Sequence, residues 1–176
     1  YISNFLLEFF YAWMVIYTPI YLSEVIGFNW QQIGIIFSSM LTAFVMLQLP
    51  LGKIADKYLG EKEILTAGFI IAAISTAGIT FVTSKSLAVW ALLLFITRVG
   101  ASAIEVMNET YFFKKVKATD SDIISFFRNA GPFAYVIGPV IASTLLYIFD
   151  YKYLFLILGF VMLCGIKFSL SIKDTL

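Results

Sequence analysis

Six apolar runs, each about 20 residues or longer, succeed one another with only short polar breaks between them. They fall at roughly 2–26, 31–51, 63–84, 87–113, 121–149 and 152–172. A bilayer's hydrocarbon core is crossed by ~20 apolar residues in a helix. In lipid every backbone amide must find its partner inside the protein, so these runs are expected to be helices. The breaks carry turn chemistry. Gly27-Phe28-Asn29-Trp30 pairs a helix-stopping glycine with an interfacial aromatic. Thr119-Asp120-Ser121-Asp122 offers capping oxygens and negative charge to the start of span five. The break at Asp150 is so short that spans five and six are expected to be antiparallel neighbours.

Composition supports the same fold class, an all-α membrane protein. The 176 residues are 61% hydrophobic and 13% charged, against ~45–50% and ~25% in ordinary globular chains. A soluble domain of this size could not bury that much apolar surface in one core. The net charge of +1 gives no reason to expect a nucleic-acid partner. There is no histidine, which removes histidine-based nucleophile pairs, metal sites and proton shuttles. No metal, cofactor or enzymatic reaction is expected. Cys164 reads as a small packed hydrophobe. The chain starts at Tyr1 without methionine, so a fragment of a longer protein is expected. Its first run is too long for a signal-peptide core and lacks a basic leader.

Lysines orient the bundle. Lys53, Lys57 and Lys62 follow span two, and Lys114, Lys115 and Lys117 follow span four. The opposite side has only Lys85 and Lys152. This bias predicts that both chain ends lie in the cytoplasm, in a plasma or inner membrane, with Lys173 just past span six and Lys167 snorkelling to the same surface. Tyr1, Tyr21, Trp30, Trp90, Tyr111 and Tyr151 fall near the span ends, where lipid-facing belt residues are expected.

Three segments carry a family resemblance. The first is Gly52-Lys53-Ile54-Ala55-Asp56-Lys57-Tyr58-Leu59-Gly60-Glu61-Lys62, a charged hinge after span two. The second is Thr97-Arg98-Val99-Gly100-Ala101-Ser102-Ala103 in span four. The third is Gly131-Pro132 with, seven residues on, Gly138-Pro139-Val140-Ile141-Ala142-Ser143 in span five. In this order they resemble the signature segments of a major facilitator superfamily half, which implies a six-helix bundle that pairs with a second such half. In the hinge, Gly52 would let helices approach closely, Asp56 would accept hydrogen bonds or pair with a base, and Gly60 would turn the chain. Leu59 is an extra residue there, and Glu61 stands where a base is usual. That departure points to the C-terminal half, as do the missing polar leader and the early end at Asp174-Thr175-Leu176. Gly138 and Pro139 read as packing and bending residues.

Ionisable groups within membrane spans are functional candidates by default. Glu105 and Glu109 follow Arg98 by 7 and 11 residues, which puts both within ~20° of Arg98's direction on a helix, and Ser102 joins that face. Asn4, Glu8, Tyr11 and Thr18 share a face about 80° wide on span one. In the superfamily, the first and fourth spans of a half line the cavity, so the resemblance makes Asn4, Glu8, Tyr11, Arg98, Ser102 and Glu105 cavity candidates. Arg98 suits an anionic substrate or a carboxylate partner. Glu8 or Glu105 suits a coupling proton, because burial favours a neutral carboxyl and a cation favours the ionised one. A structural ion pair is the alternative. Gly52, Asp56, Lys57, Gly60, Glu109 and Arg128 would gather on the cytoplasmic side as a latch between the halves, or else be simply solvated there. Tyr11, Tyr17 and Tyr135 sit mid-span, suited to packing or to stacking on cargo.

The resemblance thus implies half of a secondary active transporter, moving a small solute by alternating access, with the bilayer, the other six-helix half and the solute as partners. The rival is a six-helix scaffold or receptor-like module, homodimeric in one form, in which the buried charges serve assembly.

Overall fold

The computed structural model describes residues 1–57, 60–117 and 119–172, apart from the side chains of Asp56 and Lys57. Its elements are helical throughout, and six helices or helix pairs are long and apolar enough to cross a membrane. Helix α1 (Ile2–Tyr21) runs into one wide turn, Leu22–Ile26, where the Gly27 and Phe28 N–H groups both bond the Leu22 carbonyl, at 3.0 and 2.9 Å. Gly27 then takes φ 87°, a left-handed conformation in which glycine meets no Cβ penalty. Asn29 and Gln32 exchange side-chain-to-backbone bonds at 2.9 and 3.0 Å, a capping box that starts α2.

Helix α2 (Trp30–Lys57) passes through Pro50 and Gly52 without a break. The charged hinge expected from Gly52 is therefore helix as far as Lys57. Ala55 explains why: it is fully buried against the bundle, so packing holds that last turn in place. The remaining helices are α3 (Glu61–Ile79), α4 (Leu87–Lys115), α5 (Ser121–Arg128), α6 (Ala130–Leu146) and α7 (Tyr153–Leu170). Span five is thus two helices joined at Asn129. Pro132 has no N–H for the Arg128 carbonyl, and its ring crowds that carbonyl, so the break falls there. Helix α6 continues through Pro139.

Small residues set which helices touch. Helix α3 packs against both α4 and α7, while α2 lies on α4 and α6 lies on α1. A Cβ at Gly100 would stand 2.5 Å from the Ala72 nitrogen and 2.8 Å from the Gly68 carbonyl oxygen, so α3 and α4 meet backbone to backbone. At the α3–α7 contact a Cβ at Gly159 would stand 2.8 Å from the Ala73 carbonyl oxygen, and Thr66 and Ser169 share a 2.8 Å hydrogen bond. Helices α6 and α7 touch little, despite their short connection. Each has a closer partner, α1 for α6 and α3 for α7, and this overrides the expected pairing of neighbours.

Burial is uneven. Spans one, three and four are the most enclosed, whereas α2 and the α5–α6 pair bury only 22% and 17% of their most apolar window. Val45 on α2 is 81% exposed and Val140 on α6 is 63% exposed. Tyr21 and Trp90, expected in a lipid-facing belt, are buried instead. They pack with Phe155 and Tyr151 at one end of the bundle, and the Trp90 indole N–H donates to the Ser84 carbonyl at 2.7 Å.

Candidate functional site

The polar stripes on α1 and α4 meet. Arg98 of α4 is 3% exposed, and its guanidinium carbon lies over three rings: Tyr11 at 5.1 Å, Phe44 at 5.8 Å and Phe10 at 5.9 Å. Aromatic faces attract a cation, the more so when it is desolvated. Among the described residues Arg98 forms no ion pair, and its Nε–H has no hydrogen-bond partner. Of the two expectations for Arg98, a carboxylate partner is not seen among the described residues, and the guanidinium lies in an aromatic cage drawn from α1 and α2.

Tyr11 links this cation to an acid. Its hydroxyl donates to Glu105 Oε2 at 2.6 Å, while its ring forms one wall of the cage. Seven residues separate Arg98 from Glu105, ~10 Å along the helix. Tyr11 bridges that interval from the neighbouring helix.

Glu8, one turn before Tyr11, is half-buried and lies within Coulombic reach of Glu105 and Glu109. Its carboxylate rests against α6, where a Cβ on Gly131 would stand 3.2 Å from Glu8 Oε2. The glycine of the Gly131-Pro132 pair thus makes room for this acid. Tyr135, on the same helix and 42% exposed, is within Coulombic reach of Glu8 and Arg98. Glu8, Tyr11, Arg98, Glu105 and Tyr135 therefore form one polar patch on α1, α4 and α6.

Two other cavity candidates are buried. Asn4 is buried and donates from Nδ2 to the Phe127 carbonyl at 3.2 Å, tying α1 to α5. Ser102 is fully buried, and its hydroxyl has no partner among the described residues. Gly138 packs on Trp13, whose indole N–H donates to the Gly138 carbonyl at 3.0 Å, and the Tyr17 hydroxyl donates to the Pro139 carbonyl at 3.4 Å.

At the lysine-rich end, the Asp56 and Lys57 side chains lie outside the described residues, as do Tyr58, Leu59 and Lys173 through Leu176. Among the described residues, a Cβ at Gly52 would meet nothing within 4 Å. Gly60 is buried and caps α3 in an extended conformation. Glu109 and Arg128 are exposed and within Coulombic reach of each other. Glu61 is the unexpected member. It is 1% exposed and accepts a 2.7 Å bond from Lys114 Nζ, which fastens the start of α3 to the end of α4. An acid in a first helical turn also complements the helix dipole. The departure at this position thus has a structural use.

Sequence reasoning missed Phe10, Phe44 and Gly131, which make the cage and the Glu8 seat. Nothing in an apolar run distinguishes a cage ring from a packing ring. Gly131 was visible only as half of a bending motif.

A family model described as the Major Facilitator Superfamily matches residues 1–173. Among curated proteins, none matches the chain.

Proposed function

The chain belongs to the major facilitator superfamily of membrane transporters, and from that premise we propose that it forms one half of a secondary active transporter that moves a small solute by alternating access, coupled to protons. The observation that carries this is the α1–α4 patch: a desolvated Arg98 cation, a Tyr11–Glu105 bond at 2.6 Å, and Glu8 seated beside them. Ionisable groups at this depth cost several kcal/mol unless they face protein or water. Here Arg98 faces protein, and the Glu8 and Glu105 carboxyls are half-buried. A carboxyl held by one releasable hydroxyl is suited to load and unload a proton as that contact forms and breaks.

The sparsely covered α2 and α5–α6 faces support docking of a second six-helix half there, since a midplane site forms between two halves. The open space around Gly52 fits close approach by that half. Glu109 and Arg128, within Coulombic reach of each other, would take part with Asp56 and Lys57 in a cytoplasmic latch. The motif departure at Glu61 favours the C-terminal half.

Uptake by the full-length protein in energised vesicles tests the coupling. Glu8→Gln and Glu105→Gln should each abolish uphill, pH-driven accumulation while leaving solute exchange in place. Unchanged pH-driven uptake in both variants would exclude proton coupling at these carboxyls.

A further inference from the structure

A second cavity, of about 440 Å³, opens at the lysine-rich end between the start of α1 and the ends of α4 and α7, away from the Arg98 patch. Its walls are apolar, with Phe112, Phe168 and Ile172 among them, and its charged group is Lys115. Asn108, Tyr111, Phe112 and Lys115 follow one another at helical spacing, so a single face of α4 forms the wall from floor to rim. Lys115 lies over the Tyr111 ring, with Nζ 5.8 Å from its centroid. Tyr111 lies three residues from Asn108, ~4.5 Å along the axis. Asn108 is 6% exposed. Its Oδ1 accepts a 2.5 Å bond from the Ser3 hydroxyl, but its Nδ2 has no partner among the described residues. A buried donor without an acceptor costs ~1–3 kcal/mol, so an occupant that supplies an oxygen is favoured.

We propose that this cavity binds the headgroup and glycerol region of an anionic phospholipid from the adjoining leaflet. The chemistry matches in sequence along the wall. The Lys115 ammonium takes the phosphate, the Asn108 amide donates to an ester carbonyl deeper on the same face, within two helical turns, and the apolar walls take the start of an acyl chain. Lys117, exposed two residues on, adds positive charge near the rim. A lysine beside an anionic surface favours binding by about five-fold. The site is separate from the transport patch and does not depend on transport.

Native mass spectrometry of the full-length protein, released from nanodiscs of mixed phosphatidylglycerol and phosphatidylcholine, tests it. Wild type should retain phosphatidylglycerol in preference to phosphatidylcholine. Lys115→Gln should lower that retention about five-fold, Asn108→Leu should also lower it, and Lys53→Gln on α2 should leave it unchanged. Lys115 is exposed, so Lys115→Gln should fold normally, and the lipid result stands on it even where Asn108→Leu misfolds. Four results would overturn the proposal: no preference for the anionic lipid, an equal loss in Lys53→Gln, full retention in folded Asn108→Leu, or displacement by millimolar inorganic phosphate, which would identify a soluble anion as occupant.

Discussion

The Tyr11–Glu105 bond can be weighed by a double-mutant cycle, because its two partners separate cleanly. Tyr11→Phe deletes the hydroxyl that donates at 2.6 Å but keeps the ring 5.1 Å from the Arg98 guanidinium. Glu105→Leu deletes the acceptor and leaves the ring and cage in place. The coupling between the two substitutions then reports the hydrogen bond with the cation–π contact held constant. Interhelical side-chain hydrogen bonds in membranes average ~0.6 kcal/mol and reach ~1.7 kcal/mol, and a short bond belongs at the upper end. Equilibrium unfolding of the full-length protein in mixed detergent micelles, titrated with sodium dodecyl sulfate, gives the four stabilities required. With the Tyr11 hydroxyl 2.6 Å from Glu105 Oε2, the coupling should be about 1.5 kcal/mol. Additivity within ~0.5 kcal/mol would refute this hydrogen-bonded link between α1 and α4.

Three further outcomes follow from the packing. Gly100→Leu should destabilise the bundle by at least ~1–3 kcal/mol in the same unfolding assay, because its Cβ would meet the Ala72 backbone nitrogen at 2.5 Å; a neutral result would mean that α3 and α4 are not in backbone contact. Lys114→Met should destabilise more than Lys85→Met, since Lys114 holds the buried Glu61 at 2.7 Å and Lys85 is exposed; equal effects would demote that ion pair. The Tyr151 phenol, in the connection before α7, is pushed up well above its ordinary pKa by burial and then by Tyr17. The folded state therefore keeps its proton where the unfolded chain releases one, so stability is lost as pH rises above about 10. The Tyr151 hydroxyl also lacks a partner among the described residues. Tyr151→Phe should thus leave stability at pH 7 unchanged or improved and flatten its fall between about pH 9 and 11; a steeper alkaline loss would contradict the burial.

What could be read from the chain was what depends on local pattern. Apolar run length placed the six spans, and the 7-residue interval placed Arg98 and Glu105 on one face. What could not be read depends on which helix lies opposite. Phe44 joins the cage because α2 packs on α4, and in sequence it is one more apolar residue of span two. Charge density after Pro50 looked like a loop, yet buried Ala55 keeps α2 helical to Lys57. Glu61 looked like decay of a motif and proved to be a buried anchor. Trp90 has a belt residue's position near a span end, but the other rings at that end enclose it. In each case tertiary contact decided among options that local pattern left equal.

Alternating access is tested most directly at Tyr135, which is 42% exposed beside Glu8 and Arg98. The measurement is labelling of Tyr135→Cys, in full-length protein carrying Cys164→Ser, by a membrane-impermeant maleimide added to either face of sealed vesicles. A transporter half predicts labelling from both faces, with Asp56→Lys shifting it towards the cytoplasmic face. Labelling from one face alone, unmoved by Asp56→Lys, would contradict transport and identify a static bundle.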